Sequence, residues 1–154
     1  MEFIIFLSKI DLEILKNIRM ANYNIEENTP LCLIDKSYFG FLKKGTKTIV
    51  ICTENAKLMG GYNFKKKNIN EDQFKTKLYI RKALRHESTH VAQQCNNNKP
   101  LNIKGINNKE VTDTKKLALR NSLKFGGNRS KEIEAYILQD KPKLVLKAIK
   151  KYCL

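Results

Sequence analysis

The sequence predicts an α+β fold in one domain covering residues 1–154. It has an N-terminal helix and a small β-sheet or hairpin packed on a long central helix, followed by a helical C-terminal part. Three observations predict it. Apolar and β-branched runs gather between residues 31 and 53. A long stretch of helical character covers residues 71–94. From residue 109 onward, apolar residues recur at helical spacing with no strand-like alternation. A chain of 154 residues is large enough to close a hydrophobic core as one unit.

In order along the chain, Phe3 to Leu7 form a short apolar start preceded by acidic Glu2. A secretory leader has a positive charge there and a longer apolar segment, so these residues are expected to be a first strand or the start of a helix. An intracellular, cytoplasmic location is the corresponding expectation. Ile10, Ile14 and Ile18, with Leu15 beside them, predict an amphipathic helix over residues 8–20. Residues 22–30 are polar and read as a loop. The run at 31–34 is expected to be a strand; residues 39–42 and 48–53 then form a hairpin around Lys43-Lys44-Gly45-Thr46, the second arm being the central strand. A Gly- and Lys-rich connection follows over 56–70.

The central helix carries an apolar stripe of Ile80, Leu84, Val91 and Cys95, and Asn96-Asn97-Asn98-Lys99-Pro100 stops it. A further helix is expected at 109–123 with Val111, Leu117 and Leu119, and a turn at 125–128. Ser130 is the expected N-cap of a helix over 131–139. Asp140-Lys141-Pro142 opens a last helix that buries Leu144, Val145, Ala148 and Ile149.

Composition narrows the function. Hydrophobic content of 42% and charged content of 29% are those of a soluble globular protein, and no apolar run reaches the eighteen or so residues of a membrane span. The formal charge of +15 favours anionic partners. The excess is mostly Lys, however, and Lys, Asn and Ile share AT-rich codons; Arg, the usual reader of phosphates and bases, is scarce. No RNP-type aromatic motif, Gly-rich phosphate loop or Cys-Cys-His-His finger is present. Weak electrostatic contact with nucleic acid or another anionic partner is therefore a secondary expectation. Cys32, Cys52, Cys95 and Cys153 make no C-x-x-C pair, which argues against a zinc knuckle. Without an export signal, free buried thiols are expected, with Cys32–Cys52 and Cys95–Cys153 as the pairings to consider.

The chemistry concentrates in His86-Glu87-Ser88-Thr89-His90, which uses both histidines of the chain. Positions i and i+4 share a helix face, so the two imidazoles can grip one metal ion. Glu87 stands about 100° round the helix, beside such an ion, where a carboxylate can take a proton from activated water. This segment resembles the active-site helix of the zincin metallopeptidases, a resemblance that implies a zincin-like fold and one catalytic zinc ion.

Catalytic zinc normally takes three protein ligands, and no third histidine exists. Metzincins turn the helix at a glycine and add a histidine where this chain has Gln93 and Asn96. Peptide deformylases use a cysteine from a Glu-Gly-Cys-Leu-Ser type segment; Ile51-Cys52-Thr53-Glu54 is not one. The downstream carboxylates are Glu110, Asp113, Glu132, Glu134 and Asp140. Glu132-Ile133-Glu134-Ala135-Tyr136 resembles the Glu-x-Glu-Ala element of gluzincins, in which the glutamate before alanine binds zinc. That resemblance implies Glu134 as third ligand with His86 and His90, ahead of Glu132 and Glu110. It further implies a zinc-dependent metallopeptidase acting on a peptide or protein substrate, with Glu87 as the catalytic proton carrier. Tyr136, Tyr62 and Arg129 are the available candidates for stabilising an oxyanion, and an edge strand in the 39–52 hairpin would pair with the substrate. The alternatives are an inactive or binding zincin-like protein, and a basic nucleic-acid-associated protein with a chance motif.

Overall fold

The computed structural model describes residues 1–62, 72–124 and 126–154. Within them the chain is α+β and about 61% helical, with six α-helices and one three-stranded sheet. The expected connection over 56–70 and the turn at 125–128 lie partly outside the described residues.

The N-terminal residues Glu2–Phe6 form a 3-10 helix, not a strand, and bury Phe3 and Phe6. Glu27 holds its free end by accepting hydrogen bonds from the backbone N–H of Glu2 and Phe3, both at 2.7 Å. Helix α1 (Lys9–Met20) begins where its apolar spacing places it. Ser8 and Asp11 close a capping box, and Ile14, Leu15 and Ile18 are buried.

The sheet consists of β1 (Asn24–Glu27), β2 (Gly40–Leu42) and β3 (Thr48–Ile51), in the order β1-β3-β2. The hairpin and the central position of β3 agree with expectation. β2 runs antiparallel to β3 from Gly40 opposite Ile51 to Leu42 opposite Ile49, and Gly45 takes φ +73° in the turn. β1 falls in the stretch expected to be a loop. It pairs in parallel with β3, so its extended form comes from the ladder and not from its own Asn-Ile-Glu-Glu sequence. The run at 31–34, expected to be a strand, is instead a 3-10 helix (Pro30–Leu33). Ile49 and Ile51 point into the main core, whereas Val50 packs on the other face with Cys32 and Cys52.

Helix α2 (Thr53–Gly60) ends at Gly61 in the left-handed conformation, φ +70°. It replaces the end of the expected strand and the start of the expected connection. Helix α3 (Asp72–Cys95) is the long central helix, and α1, α2, α5, α6 and β2 all pack on it. Here α5 and α6 are the helices Arg129–Leu138 and Pro142–Tyr152. Gly60 allows the closest approach: a Cβ there would lie 2.3 Å from Thr76 Oγ1 and 2.8 Å from its backbone N. Ile80, Leu84 and Val91 are fully buried, as their spacing predicts. Arg85 donates to the buried carboxylate of Asp11 at 2.7 and 3.1 Å, tying α1 to α3.

A 3-10 turn (Asn108–Glu110) precedes α4 (Asp113–Lys124). Helix α5 is capped by Asn128, whose side chain accepts from the Lys131 N–H at 3.2 Å, so it starts earlier than a Ser130 cap implies. Helix α6 buries Val145, Ala148 and Ile149 as expected, while Leu144 is only partly buried.

The cysteines depart from expectation. Cys32–Cys52 and Cys95–Cys153 are both disulfides, and no free thiol remains. The first joins the 3-10 helix after β1 to the end of β3; the second fastens the C-terminal end of α3 to that of α6. Spacing alone allowed either state, and the fold brings each pair to bonding distance. No helix among the described residues is long and apolar enough to cross a membrane.

Candidate metal centre

The two residues between the histidines explain how the motif is held. Ser88 and Thr89 are fully buried on the inner face of α3, and their hydroxyls bond the carbonyls of Leu84 at 2.5 Å and Arg85 at 2.9 Å. Small side chains that satisfy their own hydroxyls within the helix let α3 bury this face. His86 and His90 are thereby turned toward α5, with their Nε2 atoms 3.1 Å apart and ring centroids 4.8 Å apart.

Helix α5 supplies the third group. Glu132 Oε2 lies 3.3 Å from His86 Nε2, and Glu132 Oε1 lies 3.3 Å from His90 Nε2. These three side chains form a cluster able to hold a metal ion among the described residues. Their spacing suits a small cation, because ligands about 2.0–2.1 Å from a tetrahedral ion stand roughly 3.3 Å from each other. Glu132 Oε2 is buried with no hydrogen-bond partner among the described residues, a carboxylate oxygen aimed at the same point as the two imidazoles.

Glu134, which the gluzincin resemblance puts first as third ligand, is elsewhere. Its Oε2 accepts from Gln93 Nε2 and from the Leu101 backbone N–H, each at 2.8 Å. The reason is helical phase. Glu134 shares its side of α5 with buried Ile137 and Leu138, whereas Glu132 shares its face with Tyr136, four residues on. Tyr136 itself reaches the site, its ring 4.4 Å from that of His86. The signal that could have found Glu132 was this i, i+4 pairing with a polar aromatic. Glu110 is not brought to the histidines; it pairs with Lys141 Nζ at 2.6 Å.

Electrostatics reflect the crowding of charge. Burial pushes the Glu132 carboxyl up, but the polar contacts and charge of His86 and His90 outweigh it and hold the group well below the usual carboxylate range. Burial pushes His90 down, yet Glu132 and the charge of Glu87 prevail and raise it to about 9. Burial, with the charges of Glu132 and Glu87, pushes the Tyr136 phenol up to about 12 against a 2.9 Å hydrogen bond with Ser122. Tyr136 is therefore a neutral hydrogen-bonding group at physiological pH.

Glu87 is buried on the same helix, turned toward β2. A Cβ on Gly40 would lie 3.5 Å from Glu87 Cγ and 3.3 Å from Ala83 Cβ, so the edge strand runs directly beside this carboxylate. Of the other oxyanion candidates, Tyr62 packs edge-on against Phe6 with Lys57 over its ring, and Arg129 is exposed in the first turn of α5. Of the three, it is Tyr136 that the fold brings against the histidine pair.

Compared with known families, residues 3–154 match the model described as a domain of unknown function (DUF8637), and the chain belongs to that family. No curated protein and no solved structure matches it.

Proposed function

We propose that this chain is a zincin-type metallopeptidase of the gluzincin kind that hydrolyses peptide bonds. The observation that carries the reading is the convergence of His86 Nε2, His90 Nε2 and the Glu132 carboxylate at edges of 3.1 and 3.3 Å. Two imidazoles bound through Nε2 and one carboxylate are a donor set that zinc favours in catalytic sites. Zinc bound there would supply Lewis-acid activation of water and of the scissile carbonyl. The choice of Glu132 in place of Glu134 is part of this proposal.

The chain's own residues do the rest. Glu87 takes a proton from the attacking water and returns it to the leaving amine. Its burial beside the edge strand keeps that carboxylate away from bulk solvent and next to the substrate. β2 lies at the sheet edge alongside α3, where an extended peptide would align as an added strand. Gly40, having no side chain, lets β2 pack tightly against Ala83 and Glu87 of α3. Tyr136 stands by His86 as a neutral phenol able to donate a hydrogen bond to a developing oxyanion.

Two disulfides favour an oxidising compartment. The experiment that tests the function is hydrolysis of an unfolded protein or peptide library by zinc-loaded protein, with Glu87→Gln as control. Cleavage by wild type that is lost on chelation and absent in the variant is expected. Equal cleavage by both would assign the activity to a contaminant and contradict the proposal.

A further inference from the structure

Gln93 lies one helical turn beyond His90, is 1% exposed, and uses both ends of its amide. Its Oε1 is 2.8 Å from His90 Nδ1, and its Nε2 donates to Glu134 Oε2 at 2.8 Å and to the Lys131 carbonyl at 3.1 Å. Only one orientation of the amide works. Were it flipped, its oxygen would face a carboxylate and a carbonyl, three acceptors with no hydrogen among them. The oxygen therefore faces His90, and because it can only accept, the Nδ1 of His90 must carry a hydrogen. Nε2 is left directed at His86 and Glu132.

We infer that Glu134 and Gln93 form a positioning relay that fixes the ring orientation and Nδ1–H form of His90, so that Nε2 is presented to a metal ion. The inference rests on the metal reading above and gives Glu134 a defined part in it. The Glu134 carboxylate, anchored by the Leu101 N–H, sets the direction of the Gln93 amide; the amide sets the tautomer of His90. The arrangement is one-sided. His86 Nδ1 is buried with no hydrogen-bond partner among the described residues, so His86 is held by its packing on Tyr136 instead. The relay also joins three parts of the fold: α3, α5 and the loop that follows α3.

The test compares zinc affinity, by competition with a chromophoric chelator, in full-length wild type, Gln93→Leu, Gln93→Glu and the double exchange Gln93→Glu/Glu134→Gln. Circular dichroism confirms that each variant is folded. Gln93→Leu is expected to weaken zinc binding roughly 10- to 100-fold, the usual cost of losing a hydrogen-bond partner of a metal-bound histidine. Gln93→Glu sets two carboxylates against each other and should do no better. The double exchange restores the acceptor for His90 and a donor between positions 134 and 93, and should recover most of the lost affinity. Wild-type affinity in Gln93→Leu, or a double exchange no better than Gln93→Leu, overturns the relay while leaving the metal site standing.

A second readout is independent of zinc. In nitrogen-15 spectra of the metal-free protein, the Nδ1–H of His90 should be protected from exchange in wild type and lose that protection in Gln93→Leu. If wild type binds no zinc, the metal reading fails and this spectrum alone decides the relay. An unprotected Nδ1–H in wild type overturns it.

Discussion

Glu132 Oε1 lies 3.3 Å from His90 Nε2, while Glu134, two positions later in the same helix, accepts hydrogen bonds from Gln93 and Leu101. The two glutamates thus have different expected losses. Glu132→Ala should reduce zinc affinity by more than the roughly 100-fold upper cost of removing an outer partner. Glu134→Ala should stay within that cost. Equilibrium competition with a chelator measures both, and the reverse ranking would return Glu134 to the metal.

Glu87→Gln removes the proton acceptor and leaves the three donors in place. Zinc binding should be unchanged, and turnover should fall by at least about 100-fold, the lower end of what a positioned general base contributes. Metal analysis alongside a peptide-cleavage assay separates the two effects.

The central helix is readable from sequence because its apolar stripe and its histidine face keep separate phases of one 3.6-residue period. β3 is readable too, since Thr48-Ile49-Val50-Ile51 is β-branched throughout. β1 is hidden because Asn24-Ile25-Glu26-Glu27 is extended only by virtue of its pairing with β3. Which of the two glutamates faces the histidines is hidden for a related reason. Small Ala135, fully buried, marks where α5 packs tightly, but tight packing next to Glu134 draws that residue into the core hydrogen-bond network. The face carrying Glu132 and Tyr136 is the one left toward the histidines. Disulfide state cannot be read from spacing, because pairing depends on which ends the fold brings together.

Gly60 marks the closest packing of α2 on α3. Gly60→Ala would place its methyl group 2.3 Å from Thr76 Oγ1, so the helices must move apart. Overpacking of this kind costs about 1–3 kcal/mol, a fall in Tm of roughly 3–10 °C for a chain of this size. Thermal unfolding followed by circular dichroism checks it; a Tm equal to wild type would mean that α2 lies farther from α3.

The disulfides should stabilise unequally. Cys95–Cys153 closes 58 residues and Cys32–Cys52 closes 20. Loop entropy assigns about 4 kcal/mol to the first and about 3 kcal/mol to the second. Paired serine substitutions should therefore lower stability in that order in chemical denaturation. Insensitivity of the wild type to a reducing agent would contradict the pairing.

Asp140 gives stability a pH dependence. Burial raises its carboxyl, but Lys115 at 2.7 Å and Lys82 at 3.2 Å outweigh burial and hold it below the ordinary 3.8. A depressed carboxyl contributes stability that is present above pH 3.8 and lost as pH falls toward its folded value. Asp140→Asn should lower Tm at neutral pH and converge with wild type in acid; parallel Tm–pH curves would remove the group from the account.

The central claim is that one ion sits between two imidazoles of α3 and one carboxylate of α5, and anomalous diffraction from zinc-loaded crystals tests it most directly. One zinc per chain is expected at about 2.0–2.2 Å from His86 Nε2, His90 Nε2 and a Glu132 oxygen. An anomalous peak on Glu134, or none near the histidines at saturating zinc, would contradict it.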